Sequence, residues 1–248
     1  IIATRTQYGK SRVRILKLTA ARRNVYAEEM ANTPPLKPVT AKTVILANGQ
    51  FPSHERPLAT LHATDRIICC DGAVDKLVAA GLEPTWVVGD LDSLSAEARI
   101  RHRDRLACQH EQETNDLTKA FRFCLAHGWR ELVILGATGL REDHTLANLS
   151  LLVDFSREAS VLLLTDSGWF TPVLSSARLS SRAGQQVSVF SFDPEVAVFA
   201  EGLKYPLDGV RFTRWWHAAL NEATGSAFNL VFEGGPLLVF QTYADFGA

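Results

Sequence analysis

The hydrophobic positions of the chain follow two different rhythms. From Thr43 to Leu164, short apolar runs alternate with stretches of helical spacing. The runs Thr43–Ala47, Arg66–Cys70, Trp86–Val88, Leu106–Gln109, Glu131–Leu135 and Ser160–Leu164 predict buried strands. Between them, Leu58–Ala63, Ala73–Ala80, a segment opened by Ser95, Asn115–His127 and Asp143–Val153 predict helices. In the fourth of these, apolar residues at 117, 120, 121, 124 and 125 lie on one helical face, with Asn115 or Thr114 as the cap. This alternation predicts an α/β fold, a mostly parallel sheet with helices on both faces and ligands beyond the carboxyl ends of the strands. After about residue 167 the period changes. Gln186–Phe192 alternates apolar and polar positions, and Val196–Phe199, Phe228–Phe232 and Leu237–Phe240 are further short strand candidates separated by Gly, Pro and Asn. The expectation is a small all-β sandwich over 167–248, following an α/β domain over 43–166.

Residues 1–42 fit neither rhythm and are expected to be a poorly ordered leader or linker. Residues 1–29 hold seven Lys or Arg against two Glu, a contribution of +5 that leaves −6 for the remainder of a chain whose total is −1. The single methionine is Met30, followed by a proline-containing stretch. Met30 is expected to be the native start, with the leading segment an upstream read-through or expression remnant; the competing reading is a basic targeting peptide without a signal-peptide apolar core.

Composition narrows the function classes. A net charge of −1 gives no basic footprint for nucleic acid, and no apolar run reaches the roughly 20 residues of a membrane span. Cysteines at 69, 70, 108 and 124 form no C-x-x-C pair, which points to a reducing cytoplasm.

Candidate chemistry collects at the predicted strand ends. Val87-Val88-Gly89-Asp90-Leu91-Asp92-Ser93 is an apolar run that stops at a glycine and presents two carboxylates one residue apart. In extended backbone, side chains at i and i+2 share a side, so Asp90 and Asp92 could share one ion. A hard cation such as Mg²⁺ takes one or two protein carboxylates and completes its shell with water and phosphate oxygens, which suggests nucleotide chemistry. The bland alternative is that D-x-D ends a strand and caps a helix. Asp71, Asp116 and Asp143 fall at the same predicted rim, as do Asn115 and Thr138. Crowding carboxylates without a cation is costly, so convergence favours a site. The loop Gly136-Ala137-Thr138-Gly139 has backbone amides that can cradle phosphate, although its spacing is that of neither a P-loop nor a dinucleotide fingerprint.

Taken in order, Ile45-Leu46-Ala47-Asn48-Gly49, Cys70-Asp71-Gly72-Ala73, Val88–Ser93, Thr114–Ala120, Leu135–Gly139 with Asp143–Asn148, and Gly202-Leu203-Lys204-Tyr205-Pro206-Leu207 resemble the thiamine pyrophosphokinase (thiamine diphosphokinase) family over essentially Thr43 to Phe240. The resemblance implies transfer of the pyrophosphoryl group of ATP to the thiamine hydroxyl, giving thiamine diphosphate and AMP. It also implies a Mg²⁺ requirement and a homodimer that holds thiamine between one subunit's β-domain and the other's nucleotide domain. By position, Asp71, Asp90, Asp92 and Asp116 correspond to the metal and catalytic site. Asn48, Gly49, Gly72, Asn115, Lys119, Thr138, Gly139, Arg141 and Asp143 correspond to the ATP site, and Tyr205, Trp215, Trp216 and Asn221 are the thiamine candidates. An aromatic core or subunit interface is the other reading of the last group.

Two positions depart from the family pattern. Asn115-Asp116 stands where many relatives have Thr-Asp, and Leu220-Asn221 where the family tends to show Ser-Asn. Both bear on acceptor choice, so a pyrophosphokinase acting on a pterin hydroxymethyl group, or a non-catalytic nucleotide-binding protein, are the alternative readings.

Overall fold

The computed structural model describes residues 33–36, 42–111 and 113–243. The expectations for Met30, for residues 1–29 and for most of the 1–42 leader lie outside them. Six parallel strands come first: β1 (Thr43–Leu46), β2 (Arg66–Cys70), β3 (Trp86–Gly89), β4 (Leu106–Cys108), β5 (Glu131–Leu135) and β6 (Ser160–Leu164). They alternate with α1 (Glu55–Ala63), α2 (Val74–Ala79), α3 (Ala96–Arg101), α4 (Asp116–Ala126) and α5 (Glu142–Phe155). Their spatial order, β6-β5-β1-β2-β3-β4, reverses direction between β1 and β5. In such sheets the crevice at the reversal is where ligands bind.

Side-chain alternation along the strands separates two cores. Ile45, Ile68, Cys70, Val88 and Ile134 point to one face, where α4 and α5 supply Leu117, Phe121, Cys124 and Leu152. Val44, Leu46, Cys69, Val87 and Leu135 point to the other, covered by Leu61 of α1, Leu77 of α2 and Ala98 of α3. Both faces are thus buried, as a parallel sheet requires. Ser95 caps α3 through the Ala98 N–H, and Asn115 caps α4 through the Thr118 N–H at 3.0 Å.

The second unit is not a detached sandwich. β7 (Gly168–Val173) turns back antiparallel to β6, and β14 (Leu237–Thr242), β9 (Gln186–Phe190) and β12 (Ala218–Glu222) continue from it, so the first sheet grows to ten strands. A separate antiparallel sheet, β11 (Leu207–Arg211), β10 (Ala197–Glu201), β13 (Ala227–Glu233) and β8 (Ala177–Ser180), packs on that extension. Val187, Val189 and Val239 from one sheet meet Val198, Phe228, Leu230 and Phe232 from the other. The expected sandwich is therefore present, but one of its layers is shared with the α/β unit. Three of its strands, β7, β11 and β12, carry no clean alternation: β7 contains Pro172, β11 follows Pro206 and contains Gly209, and β12 is bulged; β8, Ala177-Arg178-Leu179-Ser180, alternates but spans only four residues.

Candidate active site

The carboxyl ends of β1, β2, β3 and β5, with the amino ends of α4 and α5, enclose a cleft of about 500 Å³ at the reversal point. Asn48, Gly49, Asp90, Asn115, Asp116, Lys119, Thr138 and Arg141 all line it. Asp90, Asp116 and Lys119 lie on one wall, and Arg141 and His144 on the other.

Asp71, which follows β2 directly, is 1% exposed and does not itself line the cleft. Its Oδ1 accepts the Gly72 N–H at 2.6 Å, while Oδ2 is buried with no hydrogen-bond partner. Burial, then the Asp116 charge, push this carboxyl above its usual range against the opposing effect of the Gly72 and Leu91 amides. Room for it comes from Gly89, where a Cβ would lie 2.7 Å from the Asp71 Cγ. Gly89 serves this close approach, and the left-handed residue of the segment is Leu91, at φ +67°.

That conformation corrects the premise that Asp90 and Asp92 project together. With Leu91 left-handed the backbone is not extended, so the same-side rule for i and i+2 does not apply: Asp90 is half-buried and lines the cleft, whereas Asp92 is exposed at its lip and outside the lining. The Asp92 N–H donates to Asp90 Oδ1 at 3.1 Å and fixes that carboxylate. Lys119, almost wholly buried on α4, lies 3.6 Å from Asp90 Oδ2 and 3.2 Å from Asp116 Oδ1. Burial alone would lower the lysine's pKa, but the Asp116 hydrogen bond and the two carboxylate charges raise it above normal.

On the opposite wall, Asn148 of α5 bridges the site. Its Oδ1 accepts Asn115 Nδ2 at 3.1 Å and its Nδ2 donates to Ala137 O at 2.8 Å, which pins the α4 cap to the loop after β5. Arg141 precedes α5 and pairs with Asp143 through Nη2 at 2.6 Å; this pairing holds the Asp143 carboxyl below its usual range. Asp143 thus orients Arg141 rather than lining the cleft. His144 and Thr145 do line it, at the amino end of a 14-residue helix, a position that favours phosphate. Gly139 sits at the turn beside Gln50, and Gly72 lies against the Asn48 amide.

Sequence reasoning missed Lys76 and Asn148. Lys76 Nζ donates to Asn48 Oδ1 and Gly49 O, both at 2.9 Å, so a lysine on α2 shapes the β1 end. Asn148 stood in a motif segment, and its position one helical face along from Thr145 was the available signal.

The thiamine candidates lie apart from the cleft lining. Tyr205, Trp215 and Trp216 are 57%, 44% and 49% exposed, so they are not core residues of this chain. Asn221 is buried: its Nδ2 donates to Tyr205 O at 2.7 Å, and its Oδ1 accepts the N–H groups of Tyr205 at 3.0 Å and Glu222 at 2.8 Å. Its amide is therefore spent on holding the Tyr205 loop. Leu220 beside it is 82% exposed and left-handed, at φ +59°.

Two family models match consecutive stretches of the chain, the catalytic domain of thiamin pyrophosphokinase over residues 59–164 and its substrate-binding domain over 168–240. The chain belongs to the thiamin pyrophosphokinase family. Thiamine pyrophosphokinase 1 of Oryza sativa subsp. japonica is 26% identical over 170 residues, which cover 58% of this chain and 64% of that protein. Thiamin pyrophosphokinase 1 of Caenorhabditis elegans is 27% identical over 109 residues, 40% of this chain and 44% of that one. The aligned part is thus less than two thirds of either relative. The fold agrees: the crystal structure of thiamine pyrophosphokinase from Bacillus subtilis superposes with a TM-score of 0.67 at 22% identity, covering 82% of this chain and 100% of that one.

No group of three or more His, Cys, Asp or Glu among the described residues forms a ready metal centre. The donors nevertheless suit a hard cation. Asp71 offers a buried oxygen without a close hydrogen-bond partner, Asp90 and Asp116 face the cleft, and Mg²⁺ needs few protein oxygens when phosphates supply the rest.

Proposed function

We propose that the chain is a thiamine diphosphokinase that moves the β,γ-pyrophosphoryl group of ATP to the thiamine hydroxyl. The observation that carries this reading is the cleft at the sheet's reversal point, with Asp90 and Asp116 gathered around Lys119 on one side, Asp71 buried within reach of both carboxylate charges, and the α5 amino end on the other side, in a chain matched by both family domains. The hydroxyl oxygen forms a bond to the β-phosphorus, the bond from that phosphorus to the α–β bridging oxygen breaks, and AMP leaves. The protein's task is alignment and charge neutralisation rather than covalent chemistry. Arg141, His144 and the α5 amides bind phosphate oxygens, and Lys119 stabilises the charge that develops on AMP. Asp71 or Asp116 takes the hydroxyl proton. Asp71, Asp90 and Asp116, with Asp92 at the lip, would hold Mg²⁺, which when bound offsets phosphate charge.

The exposed Tyr205, Trp215, Trp216 and Leu220 surface supports a homodimer in which this face meets the partner's cleft and encloses thiamine. Among the described residues no helix is long and apolar enough to cross a membrane, and the four cysteines are free thiols, which suits a reducing cytoplasm. The pterin and non-catalytic readings are not favoured, because the second matched domain is a thiamin pyrophosphokinase substrate-binding domain. An acceptor screen with ATP and Mg²⁺ tests the proposal. AMP release that depends on thiamine is expected; release with a hydroxymethylpterin and none with thiamine would overturn it.

A further inference from the structure

The turn that joins the two halves carries a carboxylate with no part in the reaction above. Asp166 lies between β6 and β7, in a turn closed on itself: Thr165 Oγ1 accepts the N–H groups of Ser167 and Gly168, and the Thr165 N–H donates to Gly168 O at 2.8 Å. The Tyr243 N–H donates to Ser167 O and ties the turn to the end of β14. From this fixed base Asp166 reaches the loop after β1. Its Oδ1 accepts the Ser53 and His54 N–H groups, each at 3.0 Å, and its Oδ2 accepts Ser53 Oγ at 2.5 Å. Burial alone would raise its pKa, but these hydrogen bonds hold the carboxyl below its usual range.

The other end of the same loop is the cleft. Asn48 and Gly49 line it, and the Gln50 N–H donates to Thr138 O at 2.8 Å. A smaller cavity of about 200 Å³, bounded by Gln50, Pro52, Thr138 and the Asp166 turn, adjoins the cleft through Thr138, which lines both. The loop is therefore fastened at two points, by Gly136 and Thr138 near Asn48 and by Asp166 at Ser53 and His54. Neither Asp166 nor its two partners fall within the matched family stretches 59–164 and 168–240.

We propose that Asp166 is a positioning residue for nucleotide binding: it clamps the Asn48–His54 wall of the cleft to the turn from which the β-domain starts, and touches no reacting atom. This inference rests on the reading that the cleft binds ATP. Losing the clamp lets the wall drift, which weakens ATP and leaves the acceptor site on the β-domain intact.

The test compares Asp166→Asn, Asp166→Ala, Ser53→Ala and the Ser53→Ala/Asp166→Ala double variant in the full chain. Readouts are equilibrium binding of a fluorescent ATP analogue with Mg²⁺, the KM for each substrate, kcat and the thermal midpoint. Losing a charge-assisted set of hydrogen bonds is expected to weaken nucleotide binding about tenfold in Asp166→Ala and less in Asp166→Asn, which keeps one acceptor oxygen. The KM for thiamine and the kcat at saturation should stay at wild-type values, and Ser53→Ala should add nothing to Asp166→Ala. Wild-type ATP affinity in a folded Asp166 variant would overturn the proposal, as would an equal loss of affinity for both substrates. If Asp166→Ala does not fold, Asp166→Asn and Ser53→Ala carry the same comparison. Failure of the wild-type protein to bind the analogue would instead sink the ATP reading itself.

Discussion

Asp71→Asn should make the metal-free protein more stable and the enzyme inactive. The Asp71 carboxylate is 1% exposed, has one oxygen without a close hydrogen-bond partner and feels the charges of Asp116 and Asp90. An unsatisfied buried polar group costs about 1–3 kcal/mol, more when charged. The amide keeps the shape, removes the charge and can turn its NH₂ towards the neighbouring carboxylates. A gain of about 1–2 kcal/mol follows, or about 3–6 °C in thermal midpoint for a chain of this size. The sign fixes the pH dependence. A carboxyl whose folded pKa is raised favours the folded state once protonated, and that benefit is lost as pH rises through the raised value. The advantage of Asp71→Asn is therefore full above the raised pKa, shrinks as pH falls through it, and vanishes below the ordinary carboxylate value. Thermal melts in EDTA and in Mg²⁺ with ATP, at neutral and acid pH, together with turnover, read all of this. A variant that melts lower in EDTA, or that turns over at the wild-type rate, would refute the reasoning.

Three further outcomes follow from the geometry. Gly89→Ala places a Cβ 2.7 Å from the Asp71 Cγ, so it should cost about 1–3 kcal/mol in a denaturant melt and reduce kcat strongly, whereas Gly81→Ala, where a Cβ meets nothing within 4 Å, should leave kcat unchanged. Asn221→Ala removes the three hydrogen bonds at Tyr205 and Glu222 and should cost about 1–3 kcal/mol; steady-state kinetics should show a higher KM for thiamine and an unchanged KM for ATP. Leu220→Asp, at an exposed left-handed position that aspartate accepts more readily than leucine, should change the protomer's own stability by no more than about 0.5 kcal/mol yet convert a dimer to monomer in sedimentation velocity.

Much of this architecture was legible in the chain because the parallel sheet writes itself plainly. Glu131–Leu135 and Ser160–Leu164 are continuous apolar runs since both sheet faces are covered, and their limits match the strands found. The β-domain was harder to read. β7 pairs regularly with β14 but contains Pro172, and β12 is bulged at Leu220, so the two-residue period is erased in both. That the sandwich shares its sheet with the α/β unit depends on β7 turning back beside β6, a long-range pairing without a local signature. At the site, acidic residues after strands could be placed on one rim from topology alone, which brought out Asp71, Asp90 and Asp116. What sequence cannot give is local backbone hand: the φ of Leu91 moves Asp92 to the lip, and the reach of Lys76 across to Asn48 depends on how α2 packs.

The most direct measurement follows the phosphorus. With ATP labelled at the β-phosphate, Mg²⁺ and thiamine, the account predicts that the label appears in thiamine diphosphate, with one unlabelled AMP released per product and no product in Asp90→Asn. Label recovered in ADP, or thiamine diphosphate formed at the wild-type rate by Asp90→Asn, would contradict it.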